Sequence, residues 1–341
     1  MDTLVLITTG GTVAMTRTEG SDGADLALGP ADLTRGAGFR SSSLRVETLR
    51  LLDLPSINIG LPHLRRLVRA LEAAEAGGAR AIVVTHGTDT LEESAFGVEL
   101  LYRGEATVVF TGAMRTADAP GADGPANLAA AAAVALDPAC RGLGVLVVSG
   151  DEIHAARFVR KVHTSIPHAF SSLPLGPLGW VAEGRPQLMM RPSTRLRALR
   201  YGRRAPQVPV VGVGADTSAI WLGKATQGAA GVVFELAGGG HAPARLAPTL
   251  GRIARAAPAV FVSRTGGGST LQNTYAYAGS ETDLLSRGLI GAGALDSRKA
   301  RIALSLLLSA GQSAEVVRAW FESPDEPQPF SIAKSTESSC A

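Results

Sequence analysis

The chain has 341 residues, of which 45% are hydrophobic and 18% charged, so it can bury a sizeable core and is neither disordered nor fibrous. The 33 lysines and arginines nearly balance 30 acidic residues, and the net charge of +3 gives no indication of nucleic-acid binding. Cys140 and Cys340 lie far apart, which predicts neither a disulfide framework nor a zinc site.

Short apolar runs alternate with stretches of helical spacing in the first half of the chain. One helical pattern ends at Gly77, and a second runs from Leu91 to Leu101. The alternation predicts parallel strands flanked by helices, with ligands beyond the carboxyl ends of the strands. The predicted buried strands are Leu4 to Thr8, Ala81 to Thr85, Ala106 to Phe110 and Val145 to Val148.

The apolar pattern breaks down between Met189 and Pro209, where arginine and proline are frequent. We therefore expect an N-terminal domain over 1–190, a linker over 191–208 and a C-terminal domain over 209–341. The predicted fold class is α/β, with a mainly parallel sheet in the larger domain. Predicted elements of the smaller α/β domain are strands at Val208 to Val213, Gly231 to Leu236 and Ala259 to Ser263, a helix at Arg298 to Leu308, and a loosely held tail from Glu322.

The sequence favours a cytoplasmic location. Its first apolar run, Leu4 to Ile7, is short and lacks the basic start of a secretory signal. The longest apolar run, Leu128 to Leu136, is well below the roughly 20 residues that cross a bilayer. We therefore expect a soluble protein without a membrane span.

The first predicted strand ends in TTGGT at residues 8–12. The glycine pair allows a sharp turn and presents backbone N–H groups beside the Thr12 hydroxyl, which suits an activated threonine and an oxyanion hole. A tight turn without a chemical role is the alternative. The spacing does not fit a dinucleotide site.

The strand at 81–85 is followed by HGTDTLEE at residues 86–93. Thr90 and Glu93 match a helix capping box, which leaves Thr88 and Asp89 unexplained. Asp89 is explained equally well as an additional acidic residue at the first turn of the helix, where the helix dipole favours negative charge. His86 is interpreted as structural, since no partner residue at diagnostic spacing accompanies it.

A third strand ends in TGAMR at residues 111–115, and DGP at 123–125 introduces an alanine-rich helix. Pro125 fits the first turn of that helix, so the alternative is that this stretch is simply the start of the helix. Lys161 stands among other positive charges and by default is a solvated surface lysine.

Together, TGGTVA at 9–14, HGTDT at 86–90 with EE at 92–93, and TGAMR with DGP closely resemble the bacterial L-asparaginases of the threonine amidohydrolase family. The similarity covers nearly the whole chain, since 176–179 and 288–301 also match. It implies two α/β domains, and tetramers built from intimate dimers with active sites between the subunits of a dimer. It also implies that no metal or organic cofactor is needed.

The resemblance implies specific roles. Thr12 is the expected nucleophile, and Thr88, Asp89 and Lys161 form a second catalytic group. A lysine near a carboxylate can relay a proton through a hydroxyl, which makes this combination chemically coherent. Asp89 is also expected to bind the substrate ammonium, and Ser56 the α-carboxylate, with a polar loop residue as the alternative for Ser56.

Further contacts with the substrate are implied at Gly11 and Thr88, whose backbone N–H groups would stabilise the oxyanion. His241 takes the position of an asparagine or serine from the second domain. Glu281 corresponds to a glutamate from the partner subunit, with a surface salt bridge as the alternative. Ile57 stands where secreted members often carry a glutamine.

The lid-like segment from Met15 to Leu28 departs from the family pattern, because no tyrosine precedes Tyr102. The family's lid tyrosine is thought to help activate the nucleophile. We hypothesise that Tyr275 or Tyr277 of a neighbouring subunit replaces it. The lid composition itself indicates a mobile loop.

The sequence therefore predicts an L-asparaginase that works as a homodimer or homotetramer without nucleic acid or membrane. A glutaminase-asparaginase of broader specificity is an alternative. Glutamine differs from asparagine by one methylene, which changes the free energy of discrimination between substrates by only about 1–3 kcal/mol. A non-catalytic amino-acid or nucleotide binding module on the same fold is another, since fold does not fix function. Turnover of glutamine tests the first alternative, and binding of asparagine without turnover tests the second.

Overall fold

The computed structural model describes residues 2–17, 23–37, 44–203 and 205–327. In the N-terminal part, the helices are α1 (Pro30–Gly36), α2 (Leu61–Ala76), α3 (Leu91–Leu101) and α4 (Gly124–Leu136). The strands are β1 (Asp2–Thr8), β2 (Met15–Arg17), β3 (Ala24–Leu26), β4 (Leu44–Arg50), β5 (Ala81–Thr85), β6 (Thr107–Thr111), β7 (Leu146–Ser149), β8 (Glu152–Ala155), β9 (Arg160–Lys161), β10 (Phe170–Ser171), β11 (Gly179–Ala182) and β12 (Arg185–Leu188).

Eight of these strands form one sheet, in the order β12-β11-β8-β7-β6-β5-β1-β4. The strands from β4 to β7 in that order run parallel, whereas β8, β11 and β12 add antiparallel pairs at one edge. The carboxyl ends of β1, β5 and β6 consequently meet at the same edge of the sheet.

The central strands are buried on both faces because helices cover each side. Ile82 and Val84 of β5 pack with Leu67 of α2 on one face. The alternate residue Val83 packs on the other face with the alanine-rich α4, for example with Ala131. This alternation of side chains explains why β5 and β6 consist almost entirely of apolar residues.

The C-terminal part forms a second, smaller sheet of four parallel strands, which are adjacent in the order of the chain. Phe96 and Leu100 of α3 share an apolar cluster with Leu304, which lies on a long helix of the C-terminal part. The N-terminal and C-terminal parts therefore pack on each other. Strands here are β13 (Thr194–Leu196), β14 (Val210–Gly212), β15 (Val232–Leu236), β16 (Ala259–Ser263), β17 (Ile290–Gly291) and β18 (Asp325–Pro327). Helices are α5 (Ala219–Ala225), α6 (Ala247–Ala256), α7 (Glu281–Ser286), α8 (Ser297–Ser309) and α9 (Ala314–Glu322).

The predicted fold class is confirmed: a larger N-terminal unit with a mainly parallel sheet precedes a smaller C-terminal α/β unit. Among the described residues, no helix is long and apolar enough to cross a membrane.

Three segments differ from their predicted form. The segment predicted as a linker contains β13, which pairs with β18, so the start of the predicted loose tail is held in a ladder. Residues 328–341 of that tail lie outside the described residues. In the lid-like segment, β2 and β3 form an antiparallel pair, and 18–22 fall outside the described part. Strand β4 was not predicted, because its largely exposed sequence LRVETLR has no apolar run.

Candidate active site

Three strand ends assemble the site. Thr8 of β1 lies opposite Thr85 of β5, which in turn lies opposite Thr111 of β6. Beyond the ladder, both the backbone N–H and the hydroxyl of Thr9 donate to the Thr85 carbonyl, at 3.1 and 2.8 Å. The backbone N–H of His86 donates to the Thr111 carbonyl at 2.9 Å. The three motifs predicted to lie at one sheet edge are therefore neighbours.

Glycines allow the motifs to approach more closely than side chains would permit. Gly11 has a φ of +91°, and a β-carbon there would lie 2.4 Å from the backbone nitrogen of Gly87. A β-carbon on Gly87 would lie 2.8 Å from the Ser56 side chain. The segments that carry Thr12, Thr88 and Ser56 thus converge on one point.

Thr12 begins a short 3-10 turn that runs from Thr12 to Ala14, directly after Gly11, whose positive φ favours glycine. Its side chain is half-buried. None of the described residues forms a hydrogen bond with its hydroxyl oxygen.

Lys161 connects the other predicted residues. Its Nζ donates to the Thr88 hydroxyl oxygen at 2.9 Å and to Asp89 Oδ1 at 2.8 Å. The lysine side chain is only 15% exposed, whereas that of Asp89 is 70% exposed. Asp89 therefore offers its carboxylate to solvent while the lysine contacts the buried Thr88. This contact replaces the default interpretation of Lys161 as a solvated surface lysine.

The predicted capping box at Thr90 and Glu93 is wrong. The Thr90 hydroxyl makes no bond to the first turn of α3 and instead donates to the Ser56 carbonyl at 2.6 Å. The Glu93 carboxylate instead pairs with Arg301 of α8. Both side chains therefore bond to residues that are distant in sequence, and the Thr90 hydrogen bond holds the buried Ser56 next to the strand ends.

His86 is structural, in line with its interpretation from the sequence. The ring is fully buried, and its Nδ1 lies 2.8 Å from the Gly87 carbonyl oxygen. Burial lowers the pKa of His86 to about 4, because a charged ring cannot be solvated there. The neutral ring supports the backbone of Gly87.

The third motif fixes the start of α4. The Asp123 carboxylate accepts hydrogen bonds from the backbone N–H groups of Met114 at 3.0 Å and Arg115 at 2.9 Å. Asn127 donates both to that carboxylate and to the Gly112 carbonyl. These contacts hold the loop after β6 in place, and Pro125 lies in the first turn of α4, as predicted.

His241 and Glu281 lie together, on the C-terminal part of the chain. His241 Nε2 is 3.0 Å from Glu281 Oε2, and its ring packs edge-on against Tyr275 and Tyr277. Burial acts to raise the pKa of Glu281, but backbone N–H groups of Tyr275 and Thr274 outweigh it and lower that pKa. Within the described residues, no hydrogen bond or ring contact connects this cluster to Thr12 or Thr88.

One residue of the site was missed as a functional residue. Glu92 is buried in the first turn of α3, and its carboxylate accepts the backbone N–H of Lys161. Sequence spacing gave no signal for this contact, since 69 residues separate the two. In the described part of the chain, no group of three or more His, Cys, Asp or Glu side chains could hold a metal ion.

Two family models together match most of the chain. The model described as "Asparaginase, N-terminal" matches residues 3–194, and the "Glutaminase/Asparaginase C-terminal domain" matches residues 207–321.

Similar proteins span nearly the whole length of the chain. The "Probable L-asparaginase" of Deinococcus radiodurans is 38% identical over 324 residues, which cover 93% of this chain and 96% of that protein. The "L-asparaginase" of Bacillus licheniformis is 31% identical over 313 residues, covering 90% and 95%. The crystal structure titled "Probable Cytoplasmic L-asparaginase from Campylobacter jejuni" is 25% identical with a TM-score of 0.83, covering 94% of this chain and 99% of that one.

Proposed function

The chain belongs to the asparaginase family of amidohydrolases, and on that premise we propose that it hydrolyses L-asparagine to L-aspartate and ammonia. The observation that supports this proposal is the close backbone approach of Gly11 and Gly87, since these glycines directly precede Thr12 and Thr88, and Lys161 contacts Thr88. Two hydroxyl groups from separate strand ends can then act on one carbonyl carbon.

In the proposed reaction, the Thr12 hydroxyl attacks the side-chain amide carbon of the substrate. The Thr12 proton leaves through a neighbouring group, and backbone N–H groups at Gly11 and Thr88 stabilise the oxyanion. The C–N bond then breaks, ammonia departs with the proton it gains, and a β-aspartyl ester remains on Thr12. Water activated by the Thr88–Lys161–Asp89 group hydrolyses this ester to aspartate.

Substrate recognition requires partners for an ammonium and a carboxylate once water is displaced. Asp89 suits the ammonium, because its carboxylate is exposed and uses only one oxygen for Lys161. Ser56 suits the α-carboxylate, since it is buried against Gly87 and fixed by Thr90. The bound amide is thereby placed between Thr12 and Thr88.

We further propose a homodimer or homotetramer in which His241 and Glu281 of one subunit complete the site of another. Within the described residues, no hydrogen bond joins this pair to Thr12 or Thr88 of the same chain, which supports this arrangement. Tyr275 and Tyr277 lie beside them, are 45% and 51% exposed, and are our candidates for the missing lid tyrosine. Phenylalanine at both positions should then lower turnover sharply, and unchanged turnover would exclude both.

The domain boundaries, 1–190, 191–208 and 209–341, remain proposals, as does the cytoplasmic location. The N-terminal family model ends at 194 and the C-terminal one begins at 207, both within the proposed linker, which supports the division. Similarity to the Campylobacter jejuni protein, a probable cytoplasmic L-asparaginase, supports the location.

A glutaminase-asparaginase is the second candidate, because the matching C-terminal family model covers both activities by name. Comparing turnover of glutamine and asparagine at equal concentrations separates the two. Calorimetric binding of asparagine without ammonia release would instead indicate a binding module.

Ammonia release from asparagine tests the proposed function directly. We expect Thr12→Ala and Thr88→Ala to lower turnover by about 10³-fold or more, because each removes a hydroxyl that takes part in the reaction. Thr226→Ala, at the end of α5, is the matched control and should keep full activity. Normal turnover by either site variant would overturn the proposal.

A further inference from the structure

Glu92 holds the main chain of Lys161. The Glu92 side chain is 1% exposed, one carboxylate oxygen accepts the Lys161 N–H, and the other lies 2.9 Å from Nε of Arg298. Both oxygens therefore have partners, one on β9 and one on α8. The carboxylate links the strand that carries the lysine to a helix of the C-terminal part.

A second buried charge holds the residue directly before this strand. Lys299 of α8 is 1% exposed, and its Nζ donates to the Val159 carbonyl at 2.7 Å and to Asp296 at 3.0 Å. Val159 and Lys161 flank a single residue, so two buried side chains fix three consecutive residues of main chain.

Strand β9 is short. It has two residues, and within the described part of the chain its ladder is formed with the equally short β10. The side chain of Arg160 adds hydrogen bonds to the carbonyls of Leu173 and Gly266. The N–H of Lys161 points to Glu92, and the ladder resumes with Val162, which donates to the Ala169 carbonyl at 2.7 Å. The position of Lys161 thus depends on side chains outside the ladder.

The two ends of Lys161 are bound by one short segment. Its Nζ contacts Thr88 and Asp89, and its main chain contacts Glu92, three residues further along at the start of α3. A shift of Glu92 would therefore move Lys161 relative to the Thr88 hydroxyl, to which its Nζ donates.

Stability alone does not explain a carboxylate at this position. Burial raises the pKa of Glu92, although the charges of Lys299 and Arg298 act in the opposite direction. An ionised group is therefore more costly here than in water, and an apolar side chain of similar volume would avoid that cost.

We propose that Glu92 is a positioning residue that keeps Lys161 on Thr88, and that Lys299 provides the matching support from α8, an inference that rests on the proposed role of Lys161. The packing of the C-terminal part against α3 then sets the geometry of the proton relay. Glu92 itself contacts neither the substrate nor the reacting atoms.

Glu93 provides a matched control. It neighbours Glu92, and its carboxylate also pairs with an arginine of α8, Arg301, but within the described residues it forms no hydrogen bond with Lys161. Glu93→Leu therefore removes a comparable ion pair between the two parts without releasing the lysine.

The first measurement is the steady-state kinetics of ammonia release by the full chain. We expect Glu92→Leu to lower kcat by about 10²-fold with KM changing no more than about threefold, as for a misplaced catalytic group. Glu92→Gln retains an oxygen for the Lys161 N–H and should recover kcat to within about fivefold of the parent. Glu93→Leu should leave kcat within about twofold.

Hydrogen exchange at the Lys161 amide provides a readout that does not depend on activity. The amide should exchange at least about 10-fold faster in Glu92→Leu and at the parent rate in Glu93→Leu. If Glu92→Leu does not fold, Glu92→Asp serves in its place, because it keeps the charge but withdraws the carboxylate by one methylene.

Equal losses of kcat in the Glu92 and Glu93 variants, or unchanged exchange at Lys161, would overturn the positioning role. Failure of the proposed function has a different signature, since Thr12→Ala would then turn over asparagine as the parent does. In that event the exchange experiment still decides whether Glu92 holds Lys161.

Discussion

The main chain at Gly11 runs against the main chain at Gly87 so closely that no side chain fits between them. A methyl group on Gly11 would lie 2.4 Å from the Gly87 nitrogen, and the φ of +91° already disfavours any other residue. Backbone atoms surround the site of the methyl group, so a flexible side chain cannot move aside to relieve the clash. This contact sets the spacing of the two threonine segments.

Gly11→Ala should therefore separate the segments and abolish most activity. We expect turnover to fall by about 10²-fold or more and the free energy of unfolding to fall by roughly 1–3 kcal/mol. Ammonia release and urea denaturation measure the two effects. Gly223→Ala in α5 is the control, because a β-carbon there meets nothing within 4 Å, and it should be neutral or slightly stabilising. A fully active Gly11→Ala protein would contradict this account of the site.

Thr90 should affect substrate binding through Ser56. Thr90→Val removes the buried hydrogen bond to the Ser56 carbonyl, a loss of about 1–1.5 kcal/mol, and we expect KM for asparagine to rise about 10-fold with a smaller change in kcat. Thr90→Ser keeps the hydroxyl and should behave like the parent. A fall in kcat at constant KM would instead place the effect on the chemical step.

Subunit complementation tests whether Glu281 acts on a neighbouring site. Thr12→Ala and Glu281→Ala should each be inactive alone. Co-expressed in equal amounts, they should regain about one quarter of the parent activity, because half of randomly paired dimers are mixed and each mixed dimer has one intact site. No recovery would indicate that Glu281 acts within its own chain, and an active Glu281→Ala protein would show that it has no part in the reaction.

Two buried histidines should make the protein less stable in mild acid. Burial lowers the pKa of both His86 and His154 from 6.5 to about 4. Between those values the unfolded chain binds protons that the folded chain does not, so the free energy of unfolding falls as the pH falls. By pH 5 each histidine should account for a loss of about 2 kcal/mol relative to neutral pH.

Urea denaturation at pH 7.5 and pH 5 measures this loss. His154→Gln should show a smaller difference between the two conditions than the parent, since one of the two proton-linked groups is gone. Identical differences in the two proteins would show that His154 does not titrate as described.

The fold and the edge that carries the site were predictable from local patterns. Apolar runs followed by TTGGT, HGTDT and TGAMR indicated parallel strands whose carboxyl ends meet, and the structure places them side by side. Parallel pairing makes residues that are far apart in sequence neighbours at one edge, which is why the motifs alone were informative.

Contacts between distant side chains were not predictable. Thr90 and Glu93 have the spacing of a capping box, yet Ser56 and Arg301 are the partners they meet in the folded chain. The contact of Glu92 with Lys161 likewise depends on how β9 returns to α3. Local spacing predicts local hydrogen bonds, and tertiary packing can replace them with stronger ones.

Strand β13 enters the C-terminal part, and strand β18 follows its last helix, so their pairing brings the entrance and exit of that part to one place. Arg157 stabilises this pairing, since its guanidinium lies 2.7 Å from the carboxylate of Asp325 in β18. A unit whose two ends meet can be excised, replaced or joined head to tail while the remaining chain closes over a short gap. Grafting the corresponding half of a relative between residues 194 and 327 is therefore geometrically feasible.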